Sequence, residues 1–348
     1  MLGLLSAVVW MTACTLPYYW QAVGGQFSLM RNRVPIETAL GDAQLDATIR
    51  EKLESVVQLR EFAAAQLGLS SDGSYESFVQ LDRDYVVWNV IAAERFSIDP
   101  LQWCFPVAGC VSYRGYFDRD AAVDYERGLA EDGFDTYSGG SGAYSTLGYF
   151  DDPVLSTMLT GAETDLAGIL FHELAHQRVY IAGDSELSEG FASAVEAYGV
   201  ERWLESQGDQ DRLTDYQARL ERSAEFAALV TRQREVLAEI YASGSTEPDL
   251  VAAKAAAFER MREDYAQLKN GWSGATDYDG WFNGPMNNAR LAAIATYRKW
   301  LPGLRWRISA IGPESFYRQV EALAELESEE RERTLIEWNR SSDAGSGA

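Results

Sequence analysis

The chain has 348 residues, 47% of them hydrophobic and 24% charged, proportions that exclude disorder over most of its length. Asp and Glu number 53 against 30 Lys and Arg, and a net charge of −23 repels a phosphate backbone, so nucleic acid is excluded as a partner. The length suits one large domain or two, and the whole chain carries only two histidines.

Residues 1–13 (MLGLLSAVVWMTA) are an apolar run, too short to span a bilayer, that reads as a secretory leader. Met11 to Cys14 (MTAC) resembles a bacterial lipobox. That resemblance implies a lipid anchor on Cys14, attachment to a membrane, and a periplasm-facing lipoprotein of the cell envelope, in the outer membrane. The competing reading is a buried N-terminal helix, or a membrane anchor reaching to Ala22. Apolar spacing predicts a helix over 35–69, and YVVWNVI (85–91) predicts a strand. Cys104 and Cys110 flank five residues that include Pro106 and Gly109, so a disulfide closing a small loop is expected, against two free thiols. A helix over 121–130 and a strand over 144–150 (YSTLGYF) follow. From Glu163 the pattern turns helical, with helices over 163–181, 188–207, 212–243, 249–269, 286–300 and 313–326, and a Gly/Trp/Asp-rich loop over 271–284.

Both histidines fall in His172-Glu173-Leu174-Ala175-His176. On a helix, positions i and i+4 share a face, so both imidazoles reach one metal ion, and Glu173 between them can take a proton from water. A catalytic zinc ordinarily has three protein ligands. With no third histidine, the third must be Asp, Glu or Cys. Leu187 to Ala192 (LSEGFA) resembles the LNEGFA segment of zinc aminopeptidases, with Ser188 in place of Asn, which makes Glu189 the expected ligand. Asp184, Glu186 and Glu196 compete for the role. Glu196, two turns beyond Glu189, is also placed to orient a ligand histidine.

The resemblance extends along the chain through YYWQAVGGQ (18–26), DRDYVVWNVIA (82–92), WCFPVAGCVSYRGYF (103–117), AYSTLGYFDDP (143–153), FHELAHQ (171–177), SEGFASAVE (188–196) and NNARLAAIATY (287–297). Together these stretches resemble a bacterial family of predicted zinc aminopeptidases, many of them lipoprotein-like. The resemblance implies a predominantly helical α+β, zincin-like metallopeptidase holding one Zn2+ and acting on peptides. The expected organisation is a leader over 1–13, a single domain over 14–340 and a disordered tail over 341–348. Within the domain, 14–162 is the α+β part and 163–340 the helical, zinc-binding part. One segment departs from the well-studied aminopeptidases: the GxMEN stretch whose Glu holds the free amine is missing, and AYSTLGYF, expected to pair with an extended peptide, takes its place.

The expected chemistry is hydrolysis with Glu173 as general base. Tyr297 is the first candidate to stabilise the oxyanion, with Tyr144 and Arg114 behind it, and Asn287 and Asn288 are candidates for holding substrate backbone or for capping a helix. The alternatives are a zinc endopeptidase, a hydrolase of another amide of the envelope, or a non-catalytic metal-binding lipoprotein. No GxGxxG follows a strand and no GxxxxGK[ST] occurs, so dinucleotide and P-loop chemistry have no support.

Overall fold

The computed structural model describes residues 18–70, 73–105 and 109–345, and the side chains of 296, 297 and 343–345 lie outside that description. The expected leader and Cys14 are outside it as well.

The chain is predominantly helical with an α+β amino-terminal half. Helix α1 spans residues 18–32. The expected helix over 35–69 is two: α2 (Ile36–Gly41) and α3 (Ala47–Leu67). The break comes from Asp46, whose carboxylate accepts from the backbone N–H groups of Thr48 (2.9 Å) and Ile49 (3.2 Å) and so starts a new helix. Gly68 ends α3 in the left-handed region.

Strand β1 (Val34–Pro35) pairs antiparallel with β2 (Ser77–Val79), and β2 pairs in parallel with β8 (Val154–Leu155). The sheet that matters for the site has β3 (Val87–Ala93) at its centre, between β6 (Arg114–Tyr116) and β7 (Asp135–Ser141), all antiparallel. Alternation along β3 sends Trp88 and Val90 to one face, against Tyr116 and the helix α4 (Arg119–Glu131). Val87 and Asn89 point to the other. A hairpin of β4 (Trp103–Phe105) and β5 (Gly109–Val111) is closed by a disulfide between Cys104 and Cys110.

The expected strand over 144–150 is instead a loop, and the strand is β7, just before it. Leu147 and Gly148 both adopt positive φ (56° and 81°), which no strand tolerates. Asp152 fixes the loop: its carboxylate accepts from the Thr146 N–H (2.7 Å), the Thr146 hydroxyl (2.8 Å) and the Ser145 hydroxyl (3.3 Å).

A 3-10 turn (Ser156–Leu159) leads into α5 (Glu163–Arg178), α6 (Ser185–Gln207), α7 (Gln210–Ala242) and α8 (Glu247–Lys269). After the short α9 (Asp279–Phe282) come α10 (Asn288–Arg298), α11 (Leu301–Ile311), α12 (Pro313–Ala324) and α13 (Ser328–Gly345). Residues 341–345, expected as part of a disordered tail, continue α13 as helix. One apolar core joins Leu53 and Leu59 of α3, Phe171 of α5, Phe191 of α6, Leu304 of α11 and Phe316 of α12. A second packs α7, α8 and α10 around Phe226, Phe258 and Leu291.

Candidate metal centre

Helices α5 and α6 carry the candidate ligands, and close contact between them sets their geometry. Gly199 on α6 faces Phe171 on α5: a Cβ at Gly199 would lie 2.7 Å from the Phe171 ring and 2.8 Å from Leu67. Ser188, the residue that departs from the LNEGFA pattern, ties the turn between the helices. Its hydroxyl accepts from the Ile181 N–H (3.0 Å) and donates to the Ile181 carbonyl (3.1 Å). That two-way bond fixes where α6 begins and where Glu189 stands.

Three side chains converge. The Nε2 atoms of His172 and His176 are 3.2 Å apart, and Glu189 Oε2 lies 3.3 Å from the first and 3.5 Å from the second. These are the separations a tetrahedral ion imposes, since donors about 2.0–2.2 Å from a zinc stand roughly 3.3–3.5 Å from one another. The donor set of two imidazoles and one carboxylate is that of a catalytic zinc with a position left open. Such a group could hold a metal ion.

Each expected competitor is committed elsewhere. The Asp184 carboxylate caps α6 by accepting from the Leu187 N–H (3.0 Å) and pairs with Arg331 (3.1 Å). Glu186 pairs with Lys299 (2.9 Å). Glu196 reaches the far side of the His172 ring, its Oε2 3.1 Å from Nδ1. With Nδ1–H donating to that carboxylate, the Nε2 lone pair of His172 faces Glu189 and His176. His176 has no such support, because its buried Nδ1 has no partner among the described residues.

Burial opposes charge on His172, but the carboxylates of Glu189 and Glu196 outweigh it and raise the imidazole well above its ordinary pKa. Burial alone would raise Glu189; the two histidines reverse this and hold it far below the usual carboxylate range. For Glu173 burial wins. Its carboxyl is raised above the ordinary value, with the histidines opposing and the negative charges of Glu189 and Asp152 adding to the rise.

These residues open into a cavity of about 600 Å³. Its floor is the free face of the sheet, with Val87 and Asn89 of β3 beside Gly115 of β6 and Ser141 of β7. Gly115 and Gly139 are the partners of Asn89 on the two adjacent strands, so no side chain crowds its amide from either. The loop after β7 supplies one wall and α1 another. The remaining wall continues the stapled hairpin, and alternation sorts its residues: Val111, Tyr113 and Gly115 line this cavity, while Cys110 and Ser112 line a separate one of about 450 Å³.

The expected oxyanion donors separate clearly. Tyr144 lines the cavity, its hydroxyl pKa pushed up to about 12 by burial and by Asp152. Arg114 does not line it, being enclosed by the rings of Tyr18 (4.0 Å) and Tyr125 (4.5 Å). Tyr297 belongs to α10, and its side chain is outside the described residues. Asn287 and Asn288 are structural. The first caps α10 through the Arg290 N–H (2.9 Å), and the second donates to the carbonyls of Glu94 and Arg95 while accepting from the Tyr241 hydroxyl. Sequence reasoning missed Tyr113 and Tyr180, which line the cavity with Glu173 and Glu189. Burial raises both hydroxyls, Tyr113 well above its ordinary value, and the charge of Glu189 raises each further. Tyr180 follows His176 by four residues, just past the end of α5 at the extended Val179, a proximity in sequence that could have drawn notice; nothing in the local pattern singles out Tyr113.

No curated protein and no solved structure matches the chain. Residues 17–335 match the model of the family described as "Putative aminopeptidase", and over that length the chain belongs to this family.

Proposed function

We propose that the chain is a zinc-dependent peptidase, an aminopeptidase in keeping with its family, in which His172, His176 and Glu189 hold the ion and Glu173 moves the proton. The observation that carries this reading is the convergence of two imidazole nitrogens and a carboxylate oxygen within 4.8 Å, on the wall of a cavity that Glu173 shares. Zinc held there would act as a Lewis acid, polarising a scissile carbonyl and lowering the pKa of water. Glu173 is suited to accept that proton and pass it to the leaving nitrogen, since burial has already raised its affinity for one. Tyr113 and Tyr180 keep their hydroxyl protons at neutral pH, so each has a proton to donate. With Tyr144, they are cavity-lining hydroxyls that could donate to an oxyanion. Asn89 offers both a donor and an acceptor to substrate backbone, and Phe117, Leu147 and Phe150 offer apolar contact.

Apart from Glu173 and Glu189, the described lining of the cavity carries no carboxylate to receive a free amine. That favours internal cleavage as the second reading. The test incubates the zinc-loaded protein and its Glu173→Gln variant with a mixed peptide pool, read by mass spectrometry, with bound zinc measured in both. Stepwise loss of N-terminal residues by the parent alone, with equal zinc in the two proteins, is the expected result. Internal cuts would replace the aminopeptidase reading with the endopeptidase one. Zinc absent from both proteins would overturn the metal assignment.

A further inference from the structure

Helix α1 is attached by one face only. Tyr18, Ala22 and Gln26, at spacing i, i+4, i+8, line the catalytic cavity, and Leu29 enters the core at 3% exposure. The Gln21 carboxamide oxygen accepts from the Phe117 N–H (2.9 Å), and Gly25 lies so close to Phe117 that a Cβ would collide with the ring. The opposite face carries Trp20, Val23 and Phe27, which are 83%, 65% and 66% exposed. Two more exposed aromatics, Tyr149 (67%) and Phe150 (54%), stand on the cavity's rim. Arg33, just past the end of α1, donates to the carbonyl of the adjacent Asp151 (3.3 Å) and holds that rim beside the helix. Exposed apolar surface of this kind marks an interaction site.

Charge and chain order identify the occupant. In a chain with 53 acidic residues the first is Glu37; before it the only charged side chains are Arg31 and Arg33. A second copy is disfavoured, because two bodies of net charge −23 repel. An anionic bilayer would likewise repel most of this surface, while the charged side chains of α1 and its end are Arg31 and Arg33 alone. Immediately upstream in sequence lies the apolar run of residues 1–13, and Cys14 precedes Tyr18 by four positions. An apolar helix face with a Trp, flanked by arginine, is the composition of a segment lying in the membrane interface.

We propose that Trp20, Val23 and Phe27 of α1 seat in a lipid bilayer surface. This does not depend on the peptidase reading. Among the described residues no helix is long and apolar enough to cross a membrane, and the contact proposed is interfacial.

The test uses the whole chain in a Cys14→Ser background, with nitroxide labels on Trp20→Cys, Val23→Cys, Phe27→Cys, Ser28→Cys and Val251→Cys, one per protein. Each is mixed with vesicles of phosphatidylethanolamine and phosphatidylglycerol. The expected result is a severalfold loss of access to an aqueous nickel chelate, with a gain in access to oxygen, at positions 20, 23 and 27 alone. Labels at 28 and 251 keep their vesicle-free values. A flexible tether beside a membrane would not produce that helical periodicity. Equal access at positions 23, 27 and 251 in the presence of vesicles, or no vesicle binding, overturns the proposal. Shielding at 20, 23 and 27 already present without lipid overturns it in favour of a protein partner on this face.

Discussion

The two nitrogens of His172 do different work, and the difference can be measured. Nδ1 is held by Glu196, while Nε2 points at the site. A carboxylate behind a ligand imidazole fixes its tautomer and raises its basicity, and losing such a partner costs about 10–100-fold in metal affinity. Glu196→Ala should therefore weaken zinc binding by that factor in competition with a chelator, and Glu196→Gln should recover part of it by keeping an acceptor. Tyr113 gives a second prediction at this scale. If it donates to an oxyanion, Tyr113→Phe should lower kcat about 10²-fold with zinc content and KM little changed; a change confined to KM would assign it to substrate binding. The pair also shows what a sequence reveals. His172, Glu173 and His176 are legible because a helix of fixed pitch turns their spacing into a shared face. Tyr113 reaches the same cavity only because a hairpin from elsewhere in the chain folds over it, and no local pattern encodes that.

Elements rather than residues decide how closely the ligands meet. Gly199 permits α6 to lie against Phe171, the neighbour of His172. In Gly199→Ala the added methyl would press on the Phe171 ring, an overpacking cost of about 1–3 kcal/mol that exceeds the roughly 1 kcal/mol alanine gains in a helix. Urea titration should show a net loss of stability, with zinc affinity falling as α5 shifts. The loop after β7 is a second such element. Removing the acceptor that binds Ser145 and Thr146, as in Asp152→Ala, should cost about 1–3 kcal/mol and raise KM while leaving bound zinc unchanged. This region is also where the sequence misleads. YSTLGYF has the composition of a strand, yet Leu147–Gly148 turns the chain and Asp152 holds the turn, while the Gly- and Ser-containing β7 pairs along all of β3. Tertiary pairing overrides strand propensity there, since that propensity reports packing more than backbone preference. The helices α4 to α8 were legible because each is long and periodic; α11 and α13 were not, and the break at Asp42–Asp46 lies inside a run that is apolar at helical spacing.

Across the whole molecule the site belongs to neither half alone. The candidate metal ligands come from α5 and α6, but the cavity they face is floored by β3 and walled by α1, the stapled hairpin and the loop after β7. Gly109 in the hairpin, at φ 73°, sits where a Cβ would meet the Gly183 nitrogen at 2.6 Å, so the hairpin abuts the turn that joins the two ligand helices. Metal binding should therefore be felt as stability of the whole fold. An ion that binds only the folded chain at a thousandfold excess over its Kd stabilises it by about 4 kcal/mol. For a chain of this size the unfolding entropy is about 0.7 kcal/mol/K, so saturating zinc should raise Tm by roughly 6 °C in a calorimetric scan, reversed by a chelator. In Glu189→Ala the ligand set falls to two imidazoles, and the zinc-dependent rise should largely vanish while Glu173→Gln keeps it. A rise that survives in Glu189→Ala would move the third ligand to another carboxylate, and one that is lost in Glu173→Gln would make Glu173 a ligand instead of the proton acceptor.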